Sequence, residues 1–273
     1  MLTHVEVMSD QGALLTLSLE DTAEGYVVES IEGLDPVNAT LVYSSFAQLD
    51  KSEYQSSKRE KRNLVFNLEF EPTWGTNTVE SLRKRLYSWF MPKSRVRLRF
   101  FEDTGLVVDI VGRVESTLSP RFAKDPDVKI SIVCGESDFL GLTPVKLTGF
   151  TTAGTASTLV DYEGSVEAGL LFKLYANRTM SSFSIFHQPA DDTVRQLDFA
   201  FPLIAGDVVE ISTVPGSKSG HLIRAGVRSS VLFAIAPQSN WINFFIGANK
   251  IRVFSSGAQV PYSIDYLPRY GGL

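Results

Sequence analysis

Cysteine is almost missing from this chain: Cys134 is the only one in 273 residues. A lone thiol excludes an intrachain disulfide and any cysteine-rich zinc site. Its position at the end of the apolar run Ile130-Ser131-Ile132-Val133-Cys134 predicts a buried core thiol. Histidine is nearly as scarce, and His4, His187 and His221 are too scattered to make a metal site. His187, at the end of Phe183-Ser184-Ile185-Phe186-His187, is expected on the surface or in a turn. No apolar run reaches roughly 18 residues, so no transmembrane helix is expected. The opening Met1-Leu2-Thr3-His4-Val5-Glu6-Val7 has neither the basic region nor the apolar core of a signal peptide, so secretion is not the expected route out of a cell.

Catalytic motifs are missing as well. Pro215-Gly216-Ser217-Lys218-Ser219-Gly220 fits neither the nucleophile elbow of a hydrolase nor the spacing of a phosphate loop, and reads as a hairpin turn. Asp191-Asp192 follow Pro189, and adjacent acids in such a turn point to opposite sides, whereas paired glycosidase carboxylates come from facing elements. The expectation is no enzyme, no metal and no cofactor. Asn38-Ala39-Thr40 and Asn177-Arg178-Thr179 match glycosylation acceptors but carry no information without a secretory signal.

What is present is ordinary globular composition, 44% hydrophobic and 21% charged, in a chain long enough for two domains that each bury a core. The net charge of −5 is unevenly spread: residues 1–140 carry 22 acids and 16 bases, and residues 141–273 carry 9 and 10. An acidic first half argues against a protein that grips nucleic acid, although an acidic wall would keep passing DNA from sticking.

Alternation dominates the first half. Leu15, Leu17 and Leu19, then Tyr26 to Ile31, then Leu64, Phe66, Leu68 and Phe70 read as strands. The stretch 49–63 is polar, has no buried period and reads as an exposed loop. One helix is expected, with Asn77 as N-cap and Glu80 completing a capping box. Val79, Leu82, Leu86 and Trp89/Phe90 would face inward, and Pro92 would stop it. Val96, Leu98 and Phe100 then alternate with Arg95, Arg97 and Arg99, predicting a strand with one apolar and one basic face. Strands near 106–118 and 127–134 follow.

Gly135 to Pro144 breaks the pattern, which places a boundary at 140/141. Short strands then recur at about 145–150, 168–176, 181–187, 195–201, 207–213, 221–225, 230–235, 242–246, 250–254 and 259–266. That spacing is the mark of a β-sandwich. The fold class is therefore mainly β.

Several segments resemble the distal tail proteins of long-tailed bacteriophages. They are Gly33-Leu34-Asp35-Pro36, the helix with the strand that ends Phe101-Glu102-Asp103-Thr104-Gly105, and Gly112-Arg113-Val114-Glu115. Tyr162 to Gly169, Leu203-Ile204-Ala205-Gly206-Asp207-Val208-Val209-Glu210-Ile211, Ser239 to Val253 with its Gly247-Ala248-Asn249 turn, and Tyr266-Leu267-Pro268-Arg269-Tyr270 add to the likeness. Tyr162-Glu163 stands where that family has Asn, and Phe245-Ile246 where it has Leu-x-Pro.

The resemblance implies a β-barrel-like belt domain with one helix over residues 1–140, forming a homo-hexameric ring, and a galectin-like or carbohydrate-module-like β-sandwich over 141–273 at its periphery. It implies a tail tip that joins the tail tube protein to the hub and receptor-binding protein, leaving a channel through which DNA passes.

Arg83, Lys84 and Arg85 with Arg95, Arg97 and Arg99 are either a solvated face or a subunit interface. In the second case they would meet acids of a neighbouring copy, such as Glu69 and Glu71, through bidentate forks. Trp89, Phe90 and Met91 are either core or the aromatic anchor of that interface. Asp50, Glu53 and Glu60 are the candidate lumen acids, with Lys51, Lys58, Arg59, Lys61 and Arg62 among them. The rival reading is a carbohydrate-binding module for host adsorption. It would need an aromatic platform in the second half, where Trp241 is the only Trp and is expected inside a strand.

Overall fold

The computed structural model describes residues 1–19, 24–45, 51–121, 126–191 and 193–273. It divides the chain into two compact units, Met1–Leu142 together with Tyr270–Leu273, and Thr143–Arg269. The strands of the first unit are β1 (Leu2–Ser9), β2 (Leu14–Ser18), β3 (Tyr26–Glu32), β4 (Ala39–Ser45), β5 (Ser52–Arg59), β6 (Arg62–Phe70), β7 (Arg95–Glu102), β8 (Val107–Leu118), β9 (Asp127–Cys134) and β10 (Phe139–Gly141), with the helix α1 (Val79–Tyr87) between β6 and β7. The main sheet runs β2-β1-β7-β8-β9-β6-β3, all antiparallel neighbours, and no ladder joins β2 to β3 among the described residues. Among the described residues the sheet does not close into a barrel.

Its inner face supplies one core, in which Val5, Val7, Leu64, Phe66, Val96, Leu98, Phe100, Ile130 and Ile132 are fully buried. The alternation of β7 accounts for its place: Val96, Leu98 and Phe100 point in, and Arg95 and Arg97 point out. Cys134 lies in this core, and burial pushes its thiol up to about 12.

The helix closes the core with Leu82 and Leu86. Its cap is Thr78, one residue later than the expected Asn77. Ser81 N–H donates to Thr78 Oγ1 at 3.2 Å, and Ser81 Oγ accepts from Thr78 N–H at 2.9 Å. Asn77 instead accepts from Thr73 N–H at 2.7 Å and closes the turn before the helix. Both side chains are good caps, and the backbone turn chose between them. The helix ends at Ser88, well before Pro92.

Residues 52–59, expected within a loop, form β5. Among the described residues it pairs only with β4, from Ala39↔Arg59 to Ser45↔Ser52, as a separate two-stranded arm. Every residue of both strands is exposed. Periodicity reports burial, and a strand buried on neither face leaves no period to read.

The second unit holds β11 (Val145–Phe150), β12 (Thr158–Tyr162), β13 (Ala168–Tyr175), β14 (Met180–Pro189), β15 (Arg195–Leu203), β16 (Val208–Ser212), β17 (Ser219–Arg224), β18 (Val227–Ser230), β19 (Asn243–Phe244), β20 (Gly247–Phe254) and β21 (Pro261–Tyr266). One sheet runs β11-β21-β13-β16-β17-β18 and the other β12-β20-β14-β15. Both point apolar side chains into a shared core around Phe172, Phe183, Phe199, Ile211, Phe244 and Val253, which makes a β-sandwich. The expected strand at 230–235 is a tight turn instead, with Leu232–Ala234 in a single 3-10 turn. The run Val231-Leu232-Phe233-Ala234-Ile235 has no alternation to distinguish the two. After β21 the last strand, β22 (Arg269–Tyr270), pairs with β10.

Two of the segments that carry the resemblance acquire a physical reason. Gly33 has φ 87° and its backbone lies so close to Asn63 that a Cβ would come within 2.0 Å of that carbonyl oxygen. This lets the carbonyls of Gly33 and Asp35 reach the guanidinium of fully buried Arg62, which also donates to Ser137 O and Gly271 O and lies 4.2 Å above the Phe139 ring. Gly247-Ala248-Asn249 places Asn249, fully buried, where its Nδ2 donates to Phe245 O and Gly247 O at 2.7 Å each and its Oδ1 accepts from Phe245 N–H at 3.0 Å.

Candidate subunit interface

The outer face of the main sheet carries the arginines of β7, and each has an acid of its own chain. Arg99 Nη1 lies 3.2 Å from Glu6, Arg97 Nε 3.0 Å from Asp109, and Arg95 Nη1 3.8 Å from Asp10. Residues 1–50 contain acids but no Lys or Arg, so β1 and the turn after it supply anions to β7. Arg99 and Glu6 face each other directly across β1 and β7, both about four-fifths buried. Arg95 and Arg113 also stand directly opposite each other, and Arg113 Nη1 donates to Lys93 O at 3.1 Å.

The helix arginines are tied down too. Arg83 donates to Ser119 Oγ at 2.9 Å and to Pro120 O at 3.2 Å, and Arg85 donates to Glu24 at 2.6 Å. The structure thus brings β7 and its acids together into one ion-paired face, with Arg83 and Arg85 on the separate surface of the helix. Trp89 and Phe90 are core: Trp89 is buried and its Nε1–H donates to Ala13 O at 3.1 Å. Met91 is exposed. Glu53 and Glu60 are exposed on and just after β5, Glu60 accepting from Thr40 Oγ1 at 3.2 Å. Asp50 lies outside the described residues. Of the bases around them, Arg59 pairs with buried Asp138, and Arg62 is in the core.

Sequence reading missed the arm of β4 and β5. Leu41, Val42, Tyr43 and Tyr54 on it are half exposed, with Tyr43 and Tyr54 in edge-to-face contact at 5.9 Å. Leu41-Val42-Tyr43 was the available signal, three strand-forming residues with nothing in sequence to cover them.

In the second unit His187 is fully buried, against the expectation of a surface position. Because Asn249 Nδ2 is committed to two carbonyls, its Oδ1 faces the ring, and His187 Nε2–H is the donor at 2.9 Å. The other ring nitrogen, Nδ1, has no hydrogen-bond partner among the described residues. Burial holds the imidazole below its ordinary pKa, against the opposing pull of the Asn249 bond. Gly206-Asp207 also resolves into geometry: Asp207 accepts from Ile204 N–H and, through a two-pronged contact, from Arg224, whose hydrogen bonds hold its carboxyl below the usual range. Trp241 lies outside any strand, half-buried against the core, with Lys218 Nζ 5.4 Å above its ring. Among the described residues no three His, Cys, Asp or Glu side chains gather to hold a metal ion.

No protein-family model matches the sequence, and no curated protein does. Solved structures do match. The Dit protein of phage SPP1, described as a paradigm of the hub adsorption apparatus in phages that infect Gram-positive hosts, is similar at 14% identity with a TM-score of 0.66, over 97% of this chain and 98% of that one. A chain of the phage P2 baseplate in its activated, calcium-bound conformation is similar at 9% identity with a TM-score of 0.50, over the whole of both chains. From end to end, the fold of this chain is similar to that of a phage Dit protein.

Proposed function

We propose that this protein is a structural component of a phage virion, located at the tail tip. In this reading six copies close into a ring through the first unit, residues 1–140 serving as the belt, and residues 141–273 form a peripheral sandwich. The ring joins the tail tube protein to the hub and receptor-binding apparatus, and DNA passes through its lumen. The function needs no chemistry, only buried area and a rotation that closes.

The observation that carries the reading is the arm of β4 and β5. An isolated two-stranded hairpin is marginal in water, yet this one projects Leu41, Val42, Tyr43 and Tyr54, each half exposed. A neighbouring copy would cover these side chains and hold the arm. The end-to-end likeness of fold to a Dit protein supports the tail-tip part of the reading.

Light scattering on the full chain tests it. The expected mass is six times that of the monomer, and Tyr43→Ser with Tyr54→Ser shifts the equilibrium toward monomer by more than about tenfold, the loss of two aromatic anchors being worth a few kcal/mol. A chain that stays monomeric at high micromolar concentration sinks the reading.

A further inference from the structure

We propose an oxyanion-binding site on the second unit, formed by Lys250 and Arg252 of β20 beneath the loop that leads into β12. It takes a phosphate ester or a carboxylate, and it does not depend on the tail-tip reading.

Lys250 and Arg252 are two residues apart on one strand, so both project from the same face. Among the described residues neither has an acid within ion-pair distance, whereas the arginines of β7 all do. Arg252 is fixed in place. Its guanidinium stacks 4.1 Å above the Phe186 ring, directly across β14 and β20, and Nη1 donates to Gly154 O at 3.3 Å. That bond ties β20 to the loop that carries Thr155 and Ser157, and Gly154 N–H in turn donates to Thr152 Oγ1 at 3.0 Å.

The result is a cavity of about 170 Å³ whose polar lining is Thr155, Ser157, His187, Gln188, Lys250 and Arg252, with Phe186 and Val194 beside them. The described lining has two cations, two hydroxyls, an amide and the His187 imidazole, and no carboxylate. Two positive charges in one cavity repel each other unless an anion lies between them, and hydroxyl and guanidinium donors suit oxygen atoms carried on phosphorus or carbon. The cavity has room for the oxyanion and part of its carrier.

The test is an amide NMR titration of the full chain with inorganic phosphate, glycerol phosphate, acetate and, as a neutral control, glucose, all at constant ionic strength. The expected result is saturable shifts at residues 154–157 and 250–252 with at least one oxyanion, and none with glucose. Phosphate against glycerol phosphate separates a free ion from an ester, and acetate separates carboxylate from phosphate. Lys250→Glu, at an exposed position where folding is not at risk, weakens binding about tenfold or more by placing a like charge beside the ligand. Arg252→Gln should weaken it too, but that variant also removes the stack on Phe186. Shifts that fail to saturate, or equal affinity in the wild type and Lys250→Glu, overturn the proposal.

Discussion

At the scale of single residues, buried polar side chains rather than charges on the surface organise the second unit. Asn249 answers both the N–H and the C=O of Phe245, the carbonyl of Gly247 and the ring of His187. Asn249→Ala leaves these groups buried without partners, and the expected cost is on the order of 2–4 kcal/mol, read as a lower denaturation midpoint at unchanged slope. A loss under half a kilocalorie would mean the turn does not depend on the side chain.

His187 makes a second prediction. Its folded pKa lies below the ordinary value of 6.5 because burial disfavours the imidazolium. The unfolded chain therefore takes up a proton that the folded one refuses, and stability falls as pH drops below about 6.5. Imidazole ¹⁵N shifts should show a neutral ring protonated at Nε2 well below that pH. A ring that titrates at the ordinary value contradicts the buried geometry.

At the scale of elements, β7 does two jobs with its two faces. The inner face holds Val96, Leu98 and Phe100 in the core, and the outer face pairs with acids of β1 and β8. Reversing an arginine therefore acts within the monomer as well as on any assembly. Arg99→Glu places two carboxylates directly opposite each other at Glu6, and a loss of about 1 kcal/mol is expected, near the upper end for cross-strand charge pairs. Glu6→Arg combined with Arg99→Glu restores the pair with its sign inverted. If the face is a subunit interface, the double variant regains monomer stability but not the oligomer, as thermal unfolding and light scattering would report. Recovery of both would show that the arginines serve only their own chain.

At the scale of the whole molecule, the proposed ring must let DNA slide past. Glu53 and Glu60 are exposed; as lumen acids in the proposed ring they would repel phosphates and keep them from being held. Assembled protein is expected to show no tight duplex binding at physiological salt. Glu53→Lys with Glu60→Lys should create binding that weakens steeply as salt rises, with a slope near −0.9 for each phosphate neutralised. Tight, strongly salt-dependent binding by the unaltered ring would make its wall basic and defeat the assignment.

The sequence by itself determined the mainly β class, the helix with its inward Leu82 and Leu86, the two faces of β7 and most strands of the sandwich. Each of these follows from alternation or helical spacing set by one-sided burial, which composition records locally. Only the tertiary structure decided that the polar stretch after residue 50 is a strand, that His187 is buried and that the basic face is already ion-paired. It also decided that Arg62 joins Gly33, Asp35 and Gly271, residues far apart in the chain. These depend on which strands become neighbours. A strand exposed on both faces shows no periodicity, and a polar residue in a core is recognisable only once its partners, 62 residues away for His187 and Asn249, have been brought beside it.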